Sequence, residues 1–249
     1  MARKKKNADI DGQLCLNLNT DATNMVVQSN NLIMGRQNLS INAAKVLRTL
    51  IMQIKPDDDS LKYYYIDIRA LSKMLELPPN DLYRDIDKIT DELLDQRIEA
   101  KDPAKGKFTK ARLVVTTSFD GADGLYLRIN DDLRPFLLGL KERYTKYALE
   151  EILKMKSVYA IRIFELLQKN TLVKYLPKNG ADIDLKVAEI RRACDCENKL
   201  LRFDNFKTKV LDVACKEINE RTNYEISYTT IKVGRNIDTI RFRVNMFYH

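Results

Sequence analysis

The segment from Tyr144 to Asn170, near the middle of the chain, constrains the fold more than any other part of the sequence. Its first part predicts an ordinary amphipathic helix. From Ser157, a residue type that often caps helices, nearly every side becomes apolar, with Val158, Tyr159, Ala160, Ile161, Ile163, Phe164, Leu166 and Leu167. A helix that is apolar all round is buried between layers or domains. The sequence therefore predicts a buried joint with a structural unit on either side.

The residues before the joint predict one order of elements. An apolar stripe that begins at Ala43, with Ser40 as its cap, indicates a helix. It is followed by a β-prone run over 63–68, a short helix over 70–77, a Pro78-Pro79 turn and a long helix from Asn80. Two strands, 112–119 and 125–129, complete the unit and are joined through Gly121 and Gly124.

The residues after the joint repeat that order. Ile183-Asp184-Leu185 echoes Ile66-Asp67-Ile68. A short helix over 187–193, a long helix from about Asp204 and two strands over 224–233 and 237–244 follow, with a turn at Gly234-Arg235-Asn236. Helix, strand, helix, helix, strand, strand is the plan of a winged helix, a helix-turn-helix followed by a β-hairpin. The predicted fold class is therefore α+β, with two tandem winged-helix domains.

The length of the chain accommodates two such domains. A chain of 249 residues, 45% of them hydrophobic, has enough apolar side chains for a core in each half. We expect a flexible basic and polar tail over 1–24, an N-terminal domain over 25–140 and a C-terminal domain over 141–249. The run from Arg3 to Lys6 in the tail either touches phosphate or is solvated without a function.

Charge is distributed unevenly between the two halves. Residues 1–140 carry 21 Lys and Arg against 20 Asp and Glu, a net +1, whereas residues 141–249 carry 22 against 15, a net +7. A basic winged helix is the expected electrostatic pattern of duplex binding. The long helix of the first unit is instead acidic, with Asp81, Asp85, Asp87, Asp91, Glu92 and Asp95. The two units therefore have different predicted roles, although a net charge of +8 would also serve solubility alone.

The cysteines do not predict a metal site. Cys15, Cys194, Cys196 and Cys215 are scattered, and the single histidine, His249, is the last residue. A structural zinc site requires four ligands, often in paired C-x₂₋₄-C spacing. No apolar run approaches the ~18 residues of a membrane span, and no apolar signal segment begins the chain. We expect a cytoplasmic protein with reduced thiols, no metal, no cofactor and no membrane partner.

Catalytic motifs are also missing from the sequence. Gly106-Lys107-Phe108-Thr109 resembles part of a phosphate-binding loop but lacks the first glycine and the adjacent hydroxyl residue. Twelve tyrosines could supply a DNA-nicking nucleophile, but such enzymes hold a metal with paired histidines, which this chain cannot provide. The prediction is that the protein is not an enzyme.

Five segments resemble the iteron-binding plasmid replication initiators, the initiator replication protein family. They are VVQSNNLI (26–33), INDDLRPFLL (129–138), YTKYALEEILKMKSVYAIRIFELL (144–167), FKTKVLDVACKEINERT (206–222) and KVGRN (232–236). The resemblance runs in order from about Met25 to Val244. Because the motifs are long and keep the spacing of the family, the similarity is specific.

The resemblance implies tandem winged helices that bind directly repeated double-stranded DNA, the iterons, at a bacterial plasmid origin. In such initiators, monomers open the origin and recruit the host replicative helicase and host initiator. Dimers, joined mainly through the N-terminal domain, repress the initiator's own promoter and limit copy number. The family places the long helix of the second domain in the major groove. Its first domain makes an auxiliary DNA contact or enters the dimer interface.

The residues themselves predict a DNA-reading face on the helix from Asp204. Its inner face is apolar, with Phe206, Val210, Leu211, Ala214 and Ile218. The outer face and the start of the helix present Arg202, Asn205, Lys207, Thr208, Lys209, Asp212 and Lys216. Lys donates to guanine, Asn pairs with adenine and Thr touches the thymine methyl group. The alternative interpretation is a solvated polar face on a core helix.

The wing and the first unit supply further predicted contacts. Lys232 and Arg235 flank Gly234, and with Asn236 they are expected to hold phosphate or enter the minor groove. Arg241 and Arg243 either add phosphate contacts or simply line an exposed sheet face. In the first unit, the cationic or polar positions clear of the apolar stripe are Tyr83, Arg84 and Lys88, and they are weaker candidates for contact with DNA.

Two other functions remain open from the sequence. A plain winged-helix transcription regulator would bind one operator and open no origin. A rolling-circle initiator would nick DNA, which the histidine content argues against.

Overall fold

The structure of the protein, a computed structural model, describes residues 25–55, 58–75, 77–102, 107–170 and 180–246. The predicted tail, Cys15, Gly106 and His249 lie outside the described residues. Within these ranges, no helix has both the length and the apolar character needed to cross a membrane.

The first half of the chain contains five helices and six strands among the described residues. The helices are α1 (Asn30–Met34), α2 (Ile41–Met52), α3 (Ile68–Leu75), α4 (Pro79–Asp95) and α5 (Arg134–Leu137), the last preceded by a 3₁₀ turn, Asp131–Leu133. The strands are β1 (Met25–Ser29), β2 (Tyr63–Asp67), β3 (Arg97–Asp102), β4 (Lys107–Arg112), β5 (Val114–Phe119) and β6 (Gly124–Ile129). Strands β2, β6 and β5 form an antiparallel sheet, with α3 in contact with β2 and α4 in contact with β5.

The second half follows the same plan. Strand β7 (Tyr144–Ala148) and helices α6 (Leu149–Leu153) and α7 (Val158–Asn170) precede it. It then comprises β8 (Ala181–Lys186), α8 (Val187–Ala193), α9 (Phe203–Phe206), a π-helical segment (Lys207–Leu211), α10 (Asp212–Arg221), β9 (Tyr224–Val233) and β10 (Asn236–Met246). The antiparallel sheet order is β8-β10-β9. The predicted α+β fold with two winged helices is confirmed.

Hydroxyl caps begin both long apolar helices, as predicted. Ser40 Oγ accepts a hydrogen bond from the Ala43 amide at 3.4 Å, at the start of α2. Ser157 Oγ accepts one from the Tyr159 amide at 3.2 Å, at the start of α7. These bonds satisfy amides that lack a partner within the helix.

Two local predictions were wrong, and one hairpin was not predicted. Residues 144–148 form strand β7 instead of a helix, because Thr145 and Tyr147 alternate inward while the strand pairs antiparallel with β1. The antiparallel β3–β4 hairpin was not predicted, and Lys107, Phe108 and Thr109 of the partial phosphate-loop motif lie in its strand β4. Helix α3 begins at Ile68 instead of Ala70.

Helix α7 is buried, as predicted, but two of its buried residues are charged. Arg162 and Glu165 are 1% and 0% exposed, and Arg48 of α2 is also fully buried. Arg48 Nη2 lies 2.8 Å from Glu165 Oε2, and Arg162 Nη1 donates to the same oxygen. Tyr147 and Gln28 donate to Glu165 Oε1, at 2.5 and 2.9 Å. We call Arg48, Arg162 and Glu165 the buried charge cluster.

The charges of the cluster control its protonation. Burial alone would raise the pKa of Glu165, but the two guanidinium charges outweigh burial and lower it to about 2. Glu165 is therefore ionised at neutral pH. A buried carboxylate stays ionised only when cations are paired with it.

Helix α7 also connects the two halves. Arg162 donates to the carbonyl oxygens of Gly35 in the first half, at 2.8 Å, and Ala193 in the second, at 3.1 Å. Glu217 of α10 accepts hydrogen bonds from the amides of Lys156 and Ser157, at 2.7 and 2.9 Å. The predicted joint is thus a packed and hydrogen-bonded contact between the repeats.

Candidate nucleic-acid interface

The helix that runs from α9 through α10 has the two faces that its sequence predicted. All five predicted inner-face residues are fully buried: Phe206, Val210, Leu211, Ala214 and Ile218. Arg202, Asn205, Lys207, Thr208, Lys209 and Lys216 are exposed. The helix therefore packs on the core along one side and presents polar side chains to solvent along the other.

A π-helical segment interrupts this helix at Lys207–Leu211. A π-helical turn holds more residues than an α-helical turn, so it changes the phase between the residues before and after it. Val210 and Leu211 are both fully buried as neighbours in the segment. The side chains of Thr208 and Lys209, just before them, stay exposed.

Lys207 is held by neighbours within the protein. Its Nζ lies 2.9 and 3.1 Å from the two carboxylate oxygens of Asp212 and 5.9 Å from the centroid of the Tyr228 ring. Tyr228 itself donates to Asp212 at 2.6 Å. The hydrogen bond with Asp212, and then that with Tyr228, raises the pKa of Lys207. This charge is partly neutralised, so Lys207 is the least available cation of the helix.

The other predicted residues of the helix are less constrained. The structure shows no side-chain partner for Asn205, Thr208 or Lys209 within the described ranges. Arg202 lies 3.8 Å from Asp204, and Lys216 lies 4.0 Å from Glu220. Those two contacts join exposed side chains, and such pairs contribute little energy. Contact with DNA would therefore break no strong interaction at these positions.

The wing places further cations at its tip. Strands β9 and β10 pair antiparallel and turn through Gly234, whose φ of +61° favours glycine. Lys232, Arg235 and Asn236 are exposed there. The described part of the chain gives Lys232 and Arg235 no ion-pair partner. A tight turn with two free cations can approach a phosphate backbone closely.

The cations farther along β10 are paired across the sheet. Arg241 makes two hydrogen bonds to Asp184 of β8, at 2.7 and 2.8 Å, and Arg243 donates to Asp182 at 3.1 Å. The hydrogen bond from Arg241 lowers the pKa of Asp184. These arginines therefore lie on an exposed sheet face and are paired with carboxylates, and their contact with phosphate stays a prediction.

The predicted positions of the first unit are engaged locally. The Tyr83 hydroxyl donates to Asp123, and its ring packs against Phe119 with the centroids 6.2 Å apart. Arg84 lies 3.0 Å from Asp81 and 3.1 Å from Asp85. Lys88 is exposed on the same acidic helix. This surface is less favourable to phosphate than the surface of the second unit.

Arg191 of α8 is not among the residues predicted from the sequence. Its guanidinium lies 4.3 Å from the centroid of the Phe206 ring. Its amino groups donate to the carbonyl oxygens of Cys196, Lys199, Leu200 and Leu201, at 3.1 to 3.3 Å. Arg191 therefore fixes the loop that enters α9. The one signal for it in the sequence was its position on the first helix of the predicted helix-turn-helix.

The cysteines have no metal-binding arrangement among the described residues, where no group of three or more potential ligands is found. Cys194 and Cys196 are buried, and Cys215 is half-buried. Burial raises the pKa of the Cys196 thiol to about 11 and that of Cys215 to about 12. These thiols are therefore protonated at neutral pH.

Comparisons with known proteins agree with this geometry. The family model described as "Initiator Replication protein, WH1" matches residues 25–168, and "Initiator Rep protein, WH2" matches residues 186–244. A replication initiation protein of Escherichia coli is 24% identical over 229 residues, which cover 89% of this chain and 70% of that protein.

A solved structure shares the fold at low sequence identity. The crystal structure of the Pi initiator protein in complex with iteron DNA is 17% identical, with a TM-score of 0.76, and the match covers 92% of this chain and all of that one. The first family match continues past residue 140, the predicted boundary between the two domains. That boundary stays a prediction.

Proposed function

This chain belongs to the initiator replication protein family of plasmids, and from that premise we propose that it starts replication by binding directly repeated iterons at its origin as a monomer. The predicted resemblance and the tandem winged helices are confirmed.

The observation that carries the proposal is the exposed polar face of the α9–α10 helix next to a cationic wing. Asn205, Thr208 and Lys209 face solvent in the first turns, the part of a recognition helix that reads base edges. Lys232 and Arg235 project from the wing. The Pi initiator, which has the same fold, was solved on iteron DNA, and this supports the assignment.

We assign different contacts to these groups. Asn205, Thr208 and Lys209 read bases in the major groove, because amide, hydroxyl and ammonium groups match base-edge patterns there. Arg202, Lys216, Lys232, Arg235 and Asn236 contact the sugar-phosphate backbone, and the last three also reach the minor groove. Lys207 acts mainly by holding Asp212 and Tyr228 in place.

The first repeat has a separate role in the proposal. Its acidic α4 and the local pairing of Tyr83 and Arg84 disfavour a major phosphate contact. We assign it to dimerisation, with Lys88 as an auxiliary DNA contact. The dimer represses the gene's own promoter and limits copy number, whereas the monomer opens the origin and recruits the host helicase and host initiator.

The proposed activity requires no covalent chemistry. Nicking by a rolling-circle mechanism would require a metal held by paired histidines, and the sequence contains one histidine. Incubation of the full chain with supercoiled origin DNA, Mg²⁺ or Mn²⁺ and ATP should give no nicked circle, no tyrosyl–DNA adduct and no released phosphate. A nick that disappears on changing one tyrosine to phenylalanine would favour the rolling-circle alternative.

A footprint tests the proposal directly. The full-length protein is titrated onto DNA that flanks its own gene, and protected positions are mapped. Regularly spaced protection over direct repeats, with unpaired bases detected beside them by permanganate, would support initiation. Protection of a single palindrome without opening would favour the transcription regulator.

A further inference from the structure

Leu201 is an exposed apolar residue at the entrance to the recognition helix. The residue is 73% exposed, which is the largest value among the large hydrophobic residues that the structure describes. Arg202 follows it as the N-cap of α9, and Asn205 lies four positions after Leu201. Such exposure of a leucine leaves apolar area in water at a cost of about 25 cal/mol per Å².

The local fold keeps Leu201 away from its usual packing partner. A hydrophobic residue just before the N-cap often packs on the fourth helical residue, which is Phe206 here. The guanidinium of Arg191 instead lies over the Phe206 ring, 4.3 Å from its centroid. The ring is fully buried, so Leu201 is not needed to cover it.

The loop before Leu201 is held in a strained conformation. Leu200 has a φ of +53°, in the left-handed region that bulky residues avoid. Arg191 donates to the carbonyl oxygens of both Leu200 and Leu201, at 3.1 and 3.3 Å, and maintains this backbone. Strain that is held by a hydrogen-bonded network is a reason to look for a function.

We propose that Leu201 contacts the methyl group of a thymine in the major groove and so determines specificity at one base pair. The inference rests on the proposed function, because it places the start of α9 in that groove. The neighbouring Arg202 and Asn205 offer charge and hydrogen bonds, whereas Leu201 offers only apolar surface. The C5 methyl of thymine is the apolar group that a base pair presents there.

Replacement of single thymines by deoxyuridine tests the contact, because it removes only that methyl. The probe is the duplex that the full-length protein enriches from a pool of random sequences. For the wild type, one such replacement should weaken binding by about fourfold, the factor that corresponds to burying one methyl-sized group. For Leu201→Ala, the same replacement should have no measurable effect.

Two further variants make the test specific. Leu201→Met keeps an apolar side chain and should keep the sensitivity to deoxyuridine. Val115→Ala removes another exposed apolar side chain, on β5, and should behave as the wild type does. Leu201→Ala should also leave the salt dependence of binding unchanged, because the leucine touches no phosphate.

The outcomes separate this inference from the proposed function. Equal sensitivity to deoxyuridine in the wild type and Leu201→Ala would overturn the inference while leaving iteron binding intact. The same holds if no thymine methyl affects the wild type. If the protein enriches no duplex at all, the proposed function and the inference both fail.

Discussion

At the scale of single residues, the cations of the second repeat differ in whether an acidic side chain of the protein already pairs with them. Lys207 is bonded to Asp212, and Arg241 is bonded to Asp184. Lys209 and Arg235 are exposed, and no partner for either is shown in the described ranges. Net charge alone could not have separated these groups, because all of them count equally toward the +7 of residues 141–249.

Lys209 and Asn205 should determine sequence preference. Changing either to alanine is expected to reduce the free energy of binding to the enriched duplex by about 1–3 kcal/mol. Binding to scrambled DNA should change much less, because the variant can no longer bond to a specific base. Titrations of both duplexes at three salt concentrations measure the effect. Lys146→Ala, which removes an exposed cation from β7, is the matched control. An unchanged specificity ratio would mean that this helix does not read the bases.

Arg235 and Lys232 should instead contribute affinity without sequence preference. Their substitution by alanine is expected to weaken binding to both duplexes by similar factors, because the proposed contacts of the wing tip are with the sugar-phosphate backbone. The slope of log K against log salt should become shallower by roughly 0.9 for each phosphate that the variant no longer neutralises. If only the binding to the enriched duplex becomes weaker, these residues read bases instead.

Glu165 should stabilise the fold in a pH-dependent manner. Glu165→Gln is expected to lower the free energy of unfolding by about 3–5 kcal/mol at neutral pH, because it leaves Arg48 and Arg162 buried without an anion. The pKa of Glu165 is about 2 in the fold and about 4.3 in an unfolded chain. The difference between wild type and variant is therefore fully present above about pH 4.3 and shrinks as the pH falls toward 2.

Urea unfolding between pH 7 and pH 2 measures this difference. Glu150→Gln, on the neighbouring α6 and half-buried, is the control and should change stability by less than about 0.5 kcal/mol. A difference for Glu165→Gln that stays constant down to pH 2 would contradict the assigned role of the carboxylate.

At the scale of elements, the sequence predicts well where a pattern is local. The apolar stripe of α2, the Ser40 cap and the turn at Gly234 all depend on neighbours within a few residues. Strand β7 was missed because its reason is distant: Tyr144–Ala148 becomes a strand by pairing with β1, more than a hundred residues earlier. The amino-acid composition of residues 207–211 does not distinguish a π-helical segment from an α-helix.

The site was predictable in part for the same reason. The exposed face of the α9–α10 helix follows from its periodicity, so Asn205 and Lys209 could be selected. The pairing of Lys207 with Asp212 and Tyr228 depends on how β9 packs against the helix. The charges of α7 could not be recognised because Arg162 and Glu165 lie between apolar residues, and their buried partner Arg48 comes from another element.

Glu217 should couple the α9–α10 helix to α7. Glu217→Ala is expected to reduce the free energy of unfolding by about 1–3 kcal/mol, because the amides of Lys156 and Ser157 lose a charged acceptor. Glu220→Ala, one turn away and paired only at 4.0 Å with Lys216, should have little effect. Equal denaturation midpoints for the two variants would show that the Glu217 hydrogen bonds are unimportant for stability.

At the scale of the whole molecule, the two repeats share α7. The buried charge cluster takes Arg48 from α2 and the other two residues from α7, and Arg162 reaches carbonyl groups on both sides. Strand β1, at the start of the first repeat, pairs with β7, which immediately precedes α6 and α7. The first repeat therefore draws part of its core from residues after 140.

A pair of fragments tests this shared core. Residues 25–170 are expected to unfold cooperatively in urea, because they retain β7 and Glu165. Residues 25–140 lack the partner of β1 and all of α7, so Arg48 has no anion and the residues of α1 that contact α7 are exposed to water. Apolar burial is the dominant favourable term in folding, and a typical protein is stable by only roughly 5–15 kcal/mol. The shorter fragment should therefore show weak near-ultraviolet circular dichroism and no sharp transition. If it instead unfolds at the same urea concentration as the longer one, the first repeat is independent of α7, and the domain boundary at residue 140 is supported.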